Sequence, residues 1–462
     1  MYKIDNTVAA ISTAAGAGGI GIVRITGADT VSVLSKIFTA HSGKKAKDIK
    51  SHTITYGYIK DGDDIIDEVL VSYMKAPNTY TREDIAEINC HGGIRCVKRV
   101  LETVLKNGAD MAEPGEFTKR AFLNGRIDLI KAEAVNELIS SKTELARKAA
   151  MNRLCGGLSD KIKNIREKVL TMTAHIEADI DYPEHDEQTK TLKSIYKDIN
   201  KIQCELQKMY DMADNGKIIN DGIKTVILGC PNVGKSSILN RIINEERAIV
   251  TDIPGTTRDI LTEYVNINGI PLNIVDTAGI RDTNDKIEKI GVIKSKNQAD
   301  DADLVMLVID GSKGVLNEDE KLFDFVKNKK CAAVINKSDK KININEKEIE
   351  MLKNISNNNL YYVSALNNTG FEELFNGIRD MFFNGSIDIN SESFIGNERD
   401  KSCVFKAIES LKNASFAIEN NVPEDLISID LFDCLEYLGQ ITGDSVSDDV
   451  IDKIFTEFCL GK

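Results

Sequence analysis

A multidomain α/β-plus-α architecture is predicted by three observations. Short alternating apolar runs fill residues 1–120. Apolar residues at three- and four-residue steps fill 121–215 and return over 385–462. Between them, 216–384 alternates continuous apolar runs with helical patterns. The expected layout is an N-terminal α+β domain, a helical bundle split in the sequence, and an α/β domain inserted into that bundle. Such an insertion is feasible because domain termini often lie close together.

The chain has 462 residues, enough for about three domains. With 42% apolar and 28% charged residues, each domain can bury a core. No apolar run approaches the roughly 18–20 residues of a transmembrane helix, so no membrane insertion is expected. The opening MYKIDNTVAA lacks an apolar leader core, and a cytoplasmic location is expected. Nine cysteines lie scattered without a C-x-x-C pair, which predicts reduced thiols and no metal framework. Eight of them are expected as buried small hydrophobes, Cys459 being the exception. A net charge of −13 argues against non-specific nucleic-acid binding by the whole surface, though not against a local basic site.

In the first domain, GIGIVRITG, HTITYGYI, DEVLVSYM and DIAEINCHGG read as strands, with helices near 29–38 and 93–107. Gly16, Gly18 and Gly21 satisfy G-x-G-x-x-G, but the strand-like IGIVRI follows where a dinucleotide site needs a helix. The lysines at 36, 44, 45, 47, 50 and 60 could meet phosphates. Without aromatic neighbours they read as a solvated loop. Helical periodicity then runs through 121–154 and 158–180, breaks at Asp181-Tyr182-Pro183, and resumes over 191–212. Gly216 and Asn220-Asp221-Gly222 mark the entry to the inserted domain. Its strands are expected near 224–228, 261–267, 271–275, 304–309, 331–335 and 360–363. Asn268-Gly269 makes a hairpin of the second and third. The Lys/Asn-rich stretch 340–358 reads as a loop. Three helical patterns close the chain, and the last presents Val450, Ile451, Ile454, Phe455 and Phe458 for docking on the bundle.

The inserted domain carries the chemistry. Residues 223–237 read IKTVILGCPNVGKSS: a strand, then Gly229-x-x-x-x-Gly234-Lys235-Ser236, then a helix. Glycines let backbone N–H groups turn inward around phosphate oxygens, and the helix N-terminus adds positive potential. Lys235 supplies a point charge to the β- and γ-phosphates and Ser236 a hydroxyl to Mg²⁺. Asn232, Val233, Gly234 and Ser237 complete this cradle. Asp276-Thr277-Ala278-Gly279 ends the strand IPLNIVD, where a magnesium-linked aspartate belongs. Asn336-Lys337-Ser338-Asp339 ends CAAVIN, and the Asp339 carboxylate can accept two hydrogen bonds from guanine, which adenine cannot supply. Ser364-Ala365 ends LYYVS, where a backbone N–H can meet the guanine O6. Four motifs at strand ends fit a Ras-like six-stranded GTP-binding sheet with one antiparallel edge pair. The loop Thr251-Asp252-Ile253-Pro254-Gly255-Thr256-Thr257 lies where a threonine must sense the γ-phosphate. Either Thr256 or Thr257 suits. Ile280 follows Asp-Thr-Ala-Gly and cannot orient water. That task and charge compensation fall elsewhere: Glu288 is a candidate for water, though an exposed helix residue is its plainer reading. Arg258, Arg281 or a cation near the phosphates could supply charge.

GTTRD, DTAGIR, Glu288, NKSD and the terminal FCLGK together make the whole chain similar to the MnmE (TrmE) family of tRNA-modification GTPases. The resemblance implies a homodimer through the N-terminal domains and a partner flavoprotein, MnmG (GidA), in a heterotetramer or larger complex. It implies tRNA as substrate, modified at carbon 5 of the wobble uridine. It carries Mg²⁺ ligation onto Ser236 and Thr257, and K⁺ ligation onto Asn232, Thr251, Ile253 and Thr256. Water positioning falls on Glu288. A 5-formyltetrahydrofolate site falls on Arg24, Glu87 and Arg126, with Lys462 nearby, and Cys459 is expected to serve the modification chemistry. A ribosome-assembly or translation switch, and a folate-dependent transferase regulated by GTP, are the competing readings. Neither a switch's binding nor its cycling needs the terminal Cys-x-Gly-Lys.

Overall fold

The computed structural model describes residues 6–181, 192–245, 263–267, 269–274, 302–326, 329–383 and 395–461. They divide into two compact units. The first holds 1–136, 154–196 and 409–462, and the second 137–153 and 197–408.

The first unit begins with β1 (Val8–Ile11), β2 (Ile20–Thr26), α1 (Thr30–Ile37), β3 (Phe38–Ala40), β4 (Thr53–Asp61), β5 (Asp64–Met74), β6 (Ile85–His91), α2 (Ile94–Lys106) and β7 (Asp110–Met111). The strands form one sheet in the order β3-β4-β5-β6-β2-β1-β7. Only the β1–β7 pair is parallel. Alternation decides the buried face. Val23, Ile25, Val69, Val71, Ala86 and Ile88 point inward against Val33, Leu34 and Ile37 of α1 and Val97, Val100 and Val104 of α2. The glycine run at 16–21 leads into β2, so the fingerprint match has no helix behind it, as its context predicts.

α3 (Glu116–Leu123), α4 (Leu129–Ser140), α5 (Glu144–Leu154) and α6 (Gly157–Asp181) follow. α3 is pinned by Arg120, whose side chain is fully buried. It pairs with Glu116 at 2.7 Å and Glu83 at 3.0 Å and donates to the Asn6 carbonyl at 2.9 Å. Later come α7 (Leu192–Asp211) and α8 (Ala213–Asp221). Gly216 lies buried inside α8. That helix ends at Gly222, whose φ of +81° places it where a side chain would strike Pro271.

The second unit's sheet contains β8 (Ile223–Leu228), β9 (Glu263–Ile267), β10 (Ile270–Ile274), β11 (Leu304–Asp310), β12 (Lys330–Asn336) and β13 (Leu360–Tyr362), in the order β13-β12-β11-β8-β10-β9. Every pairing is parallel except β9–β10, whose register turns on the hairpin at Gly269. All seven residues of β11 are buried because both faces are covered. Leu304, Met306 and Val308 join α9 (Lys235–Glu245) and α12 (Phe371–Phe383) on one side, where Leu145 and Ala146 of α5 also pack. Val305, Leu307 and Ile309 face α10 (Asn317–Val326) and α11 (Glu346–Ile355) on the other. The stretch read as a Lys/Asn-rich loop thus contains a helix. Its start is fixed by reciprocal bonds between Asn345 and Glu348, which supply what the stretch's composition conceals.

α13 (Glu398–Glu419), α14 (Glu424–Thr442) and α15 (Asp448–Thr456) close the chain, and α14 packs along α6. On α15, Ile451, Phe455 and the following Phe458 are buried with Leu129 and Ala132. Val450, expected on the same face, is 40% exposed: the docked face is narrower than the apolar pattern.

Candidate functional site

The nucleotide edge of the second sheet is assembled at the carboxyl ends of β8, β11, β12 and β13. Gly229 leaves β8 so closely that a Cβ there would lie 2.4 Å from the Val308 carbonyl. One on Gly234 would lie 2.2 Å from Asn336 Nδ2. Asn232 takes a positive φ of 65°, a conformation asparagine tolerates better than most side chains, and stands exposed at the loop tip. Lys235 Nζ donates to the carbonyls of Gly229 at 2.7 Å and Cys230 at 2.9 Å, so the lysine arches over its own loop. Ser236 is half-buried in the first turn of α9 and Ser237 is exposed. Val233 is buried beneath the loop.

The base-recognition motifs tie into that loop. Buried Asn336 donates through Nδ2 to the Val233 carbonyl at 2.9 Å and accepts the Ala365 N–H at 3.3 Å. Ser364 Oγ donates to Asp339 Oδ1 at 2.5 Å, aligning an otherwise exposed carboxylate, and the Ser338 N–H bonds the Val363 carbonyl at 3.1 Å. Lys337 Nζ reaches the Asn232 carbonyl at 2.9 Å and Asp310 Oδ2 at 2.6 Å. Burial pushes the Asp310 carboxyl up, but Lys337 and the Ser312 hydroxyl and amide outweigh it and hold it below the ordinary aspartate value. Asp310 is absent from the motif reading. It closes the apolar run LVMLVID, and that position is its one signal in the sequence.

Thr251, Asp252, Ile253, Pro254, Gly255, Thr256, Thr257, Asp276, Thr277, Ala278, Gly279 and Glu288 lie outside the described residues, as do Arg258, Arg281 and Lys462. Within the described residues, the magnesium and potassium expectations rest on Ser236 and Asn232. A serine hydroxyl is a hard oxygen donor of the kind Mg²⁺ takes, and the Asn232 amide oxygen suits an alkali cation.

A second constellation lies on the N-terminal sheet. Arg24 and Glu87 face each other across the β2–β6 register. Arg24 Nε donates to Glu87 Oε1 at 2.9 Å and Nη2 lies 2.8 Å from the same oxygen. The Arg24 guanidinium lies 5.5 Å from the Phe117 ring centroid, and that of Arg126 lies 4.7 Å from the Tyr80 centroid. Tyr80 and Thr118 share a hydroxyl hydrogen bond at 3.0 Å, so both cations border one stretch of α3. Tyr80 and Phe117 carried no motif and emerge only from packing.

The chain's end joins this region. Leu460 bridges Pro114, and the Gly115 N–H donates to the Cys459 carbonyl at 3.3 Å. Ser12 Oγ donates to the Gly461 carbonyl at 2.9 Å. Gly461, at φ +86°, passes so near Ile11 that a Cβ would sit 2.2 Å from its carbonyl oxygen. Ile11 follows Ala10, the register partner of Arg24. The Cys459 thiol is exposed. So are Cys155, in the turn between α5 and α6, and Cys204, on a solvent-facing position of α7, and Cys96 is only half-buried, all three against the expectation of burial.

Comparison with known proteins is consistent along the whole length. Residues 7–126 match the model described as GTP-binding protein TrmE N-terminus, and 129–459 match the MnmE helical domain. The tRNA modification GTPase MnmE of Clostridioides difficile is 50% identical over 459 residues, covering 99% of this chain and 100% of that protein. That of Acetivibrio thermocellus is 49% identical over 466 residues, covering all of both. Among solved structures, an Era variant of Aquifex aeolicus bound to GDP·AlF4− is 26% identical over 41% of this chain and 66% of that one, at a TM-score of 0.27. Relatives that match end to end at this identity settle membership: the chain belongs to the MnmE family of tRNA modification GTPases.

Proposed function

We propose that the chain hydrolyses GTP to drive formation of the aminomethyl or carboxymethylaminomethyl group at carbon 5 of the tRNA wobble uridine. It does so in the cytoplasm, as a homodimer, with an MnmG-type flavoprotein and a one-carbon unit from 5-formyltetrahydrofolate. The domain limits are 1–120, 121–215, 216–384 and 385–462. Asn336 and Asp339 read guanine, while the loop 232–237 takes the phosphates. Ser236 and Thr257 would hold Mg²⁺, which supplies charge neutralisation at the phosphates. Asn232, Thr251, Ile253 and Thr256 would hold K⁺, which adds positive charge where Ile280 leaves no water-orienting amide. Glu288 positions water.

One observation carries the modification reading. Residues 459–461 of the terminal motif are held beside β1 by the Ser12–Gly461 bond and the Pro114–Leu460 bridge, next to the strand that bears Arg24. A ligand with anionic glutamate and polar ring groups suits the Arg24, Glu87 and Arg126 set, with Tyr80 and Phe117 as aromatic neighbours. The homodimer is supported by the outer face of the N-terminal sheet, where Ile54, Tyr56 and Leu70 are exposed and Tyr56 pairs with Leu70 across β4–β5.

The test is nucleoside analysis of tRNA from cells whose only copy carries Cys459→Ser, with GTP hydrolysis measured on the purified variant. Wobble modification should fall sharply while hydrolysis persists. Normal modified nucleoside would make the thiol structural, and its presence after deletion of the whole chain would reject the function.

A further inference from the structure

Two loops of the nucleotide edge are joined by a single ammonium group. Lys337 Nζ lies 2.9 Å from the Asn232 carbonyl in the phosphate loop and 2.6 Å from Asp310 Oδ2. Asp310 ends β11, between β8, which carries the phosphate loop, and β12, which carries Asn336 and Lys337. Its side chain is 3% exposed, and its second oxygen accepts from the Ser312 hydroxyl at 2.7 Å and amide at 3.0 Å. A carboxylate this buried persists only when it is paired and hydrogen-bonded, and here both conditions hold. Lys337 itself sits at φ +64°, in the left-handed region that non-glycine residues seldom adopt. The backbone is therefore set so that the lysine side chain runs back toward β11 and the phosphate loop.

We propose that Asp310 is a positioning residue for nucleotide binding: it anchors the Lys337 ammonium so that the guanine motif and the phosphate loop are held at one spacing. The inference rests on the reading that Asn336–Asp339 bind the base. A nucleotide's covalent frame fixes the distance between base and phosphates. Two loops already locked at that distance lose less freedom on binding than two that must find it. The neutral Asn232 carbonyl alone is a weak anchor for a lysine on a flexible four-carbon stem. The charged, buried Asp310 is a strong one. Asn336 makes a second tie, to the Val233 carbonyl, but it is a neutral amide bond and cannot orient the lysine. Asp310 thus acts through Lys337, its two oxygens being taken by the Lys337 ammonium and by Ser312.

The experiment compares Asp310→Asn, Lys337→Met and the double variant in the full chain. Release of fluorescently labelled GDP and of a non-hydrolysable GTP analogue is followed by stopped flow, with steady-state hydrolysis alongside. Loss of one charge-assisted bond of about 1.5–3 kcal/mol predicts release roughly ten- to a hundredfold faster for both nucleotides. KM should rise more than kcat falls, since the tie serves ground and transition states alike. In the Lys337→Met background, Asp310→Asn should add less than about twofold. Because Asp310→Asn alters a buried group, Ser312→Ala serves as a milder variant. It should speed release about threefold in the parent, with no further effect in Lys337→Met. Unchanged release in Asp310→Asn, or full additivity with Lys337→Met, overturns the proposal. If the parent chain itself fails to bind guanine nucleotides, the underlying site reading fails instead.

Discussion

The guanine-recognition edge and the Arg24–Glu87 region reach their geometry by opposite routes. At the proposed guanine edge the Asp339 carboxylate stays exposed while neighbours pin the motif. Ser364 holds one Asp339 oxygen, and Asn336 is braced against the phosphate loop. On the N-terminal sheet the proposed contacts are engaged with each other or with aromatic rings: Arg24 with Glu87 and Phe117, Arg126 with Tyr80. A base can dock on the first site by adding bonds. A ligand at the second must compete with an ion pair already made, so its binding energy is a difference between two sets of contacts. The first site should therefore respond to single substitutions more steeply than the second.

The sharpest way to break that comparison is Asp339→Asn. An amide in place of the carboxylate loses one acceptor and sets N–H against N–H at guanine, so GTP affinity should fall about a thousandfold and xanthosine triphosphate should gain. Equilibrium titration of both nucleotides decides it, and unchanged GTP affinity would show that Ser364 aligns Asp339 for some other purpose. Next comes Arg120→Met, which leaves Glu116 and Glu83 without their buried cation. A cost of about 3 kcal/mol or more is expected, seen as an earlier N-terminal transition in urea while nucleotide binding by the other unit is retained. A smaller effect, roughly tenfold, is expected for Arg24→Ala on 5-formyltetrahydrofolate affinity by calorimetry, with GTP hydrolysis spared. Affinity equal to the parent's would place the folate elsewhere.

The smallest effect concerns His91, whose ring sits 2.7 Å from Asp67 at the end of β6. The hydrogen bond that His91 donates to Asp67, then the charge of that carboxylate, raise the His91 pKa above 6.5. Sign follows from the raised value. The contact favours the folded chain below the unfolded value near 6.5, and is lost as pH climbs through the higher folded one. NMR titration should place the His91 midpoint above 6.5 in the parent and lower in Asp67→Asn. Identical midpoints would mean that the carboxylate merely neighbours the ring. Because the imidazole is largely exposed, little stability is at stake.

How legible each region was follows from how its residues are spaced. The phosphate loop and the Asn336–Asp339 run are contiguous, and backbone geometry over four to eight residues dictates their chemistry. Sequence alone therefore singles them out as candidates, and it placed all six strands of that sheet within a few residues. It also identified the helical segments, since three- and four-residue apolar steps survive burial unchanged. It missed the helix at Glu346–Ile355, whose apolar face is thin and whose order comes from the Asn345–Glu348 cap. It missed Asp310, because a single carboxylate at a strand end means nothing until the neighbouring strand delivers Lys337.

Tertiary structure alone decided the rest. Residues 24, 87, 117 and 126 share no local pattern, and only the β2–β6 register and the seating of α3 draw them together. The tail shows the same division. Its Cys-x-Gly-Lys could be read directly, yet what sets its place is Gly461 passing within a side chain's width of Ile11, beside the strand that carries Arg24. Periodicity and contiguous motifs are properties of the covalent chain and so are written in its order. Contacts between distant residues depend on sheet register and close packing, which are settled only when the whole unit folds.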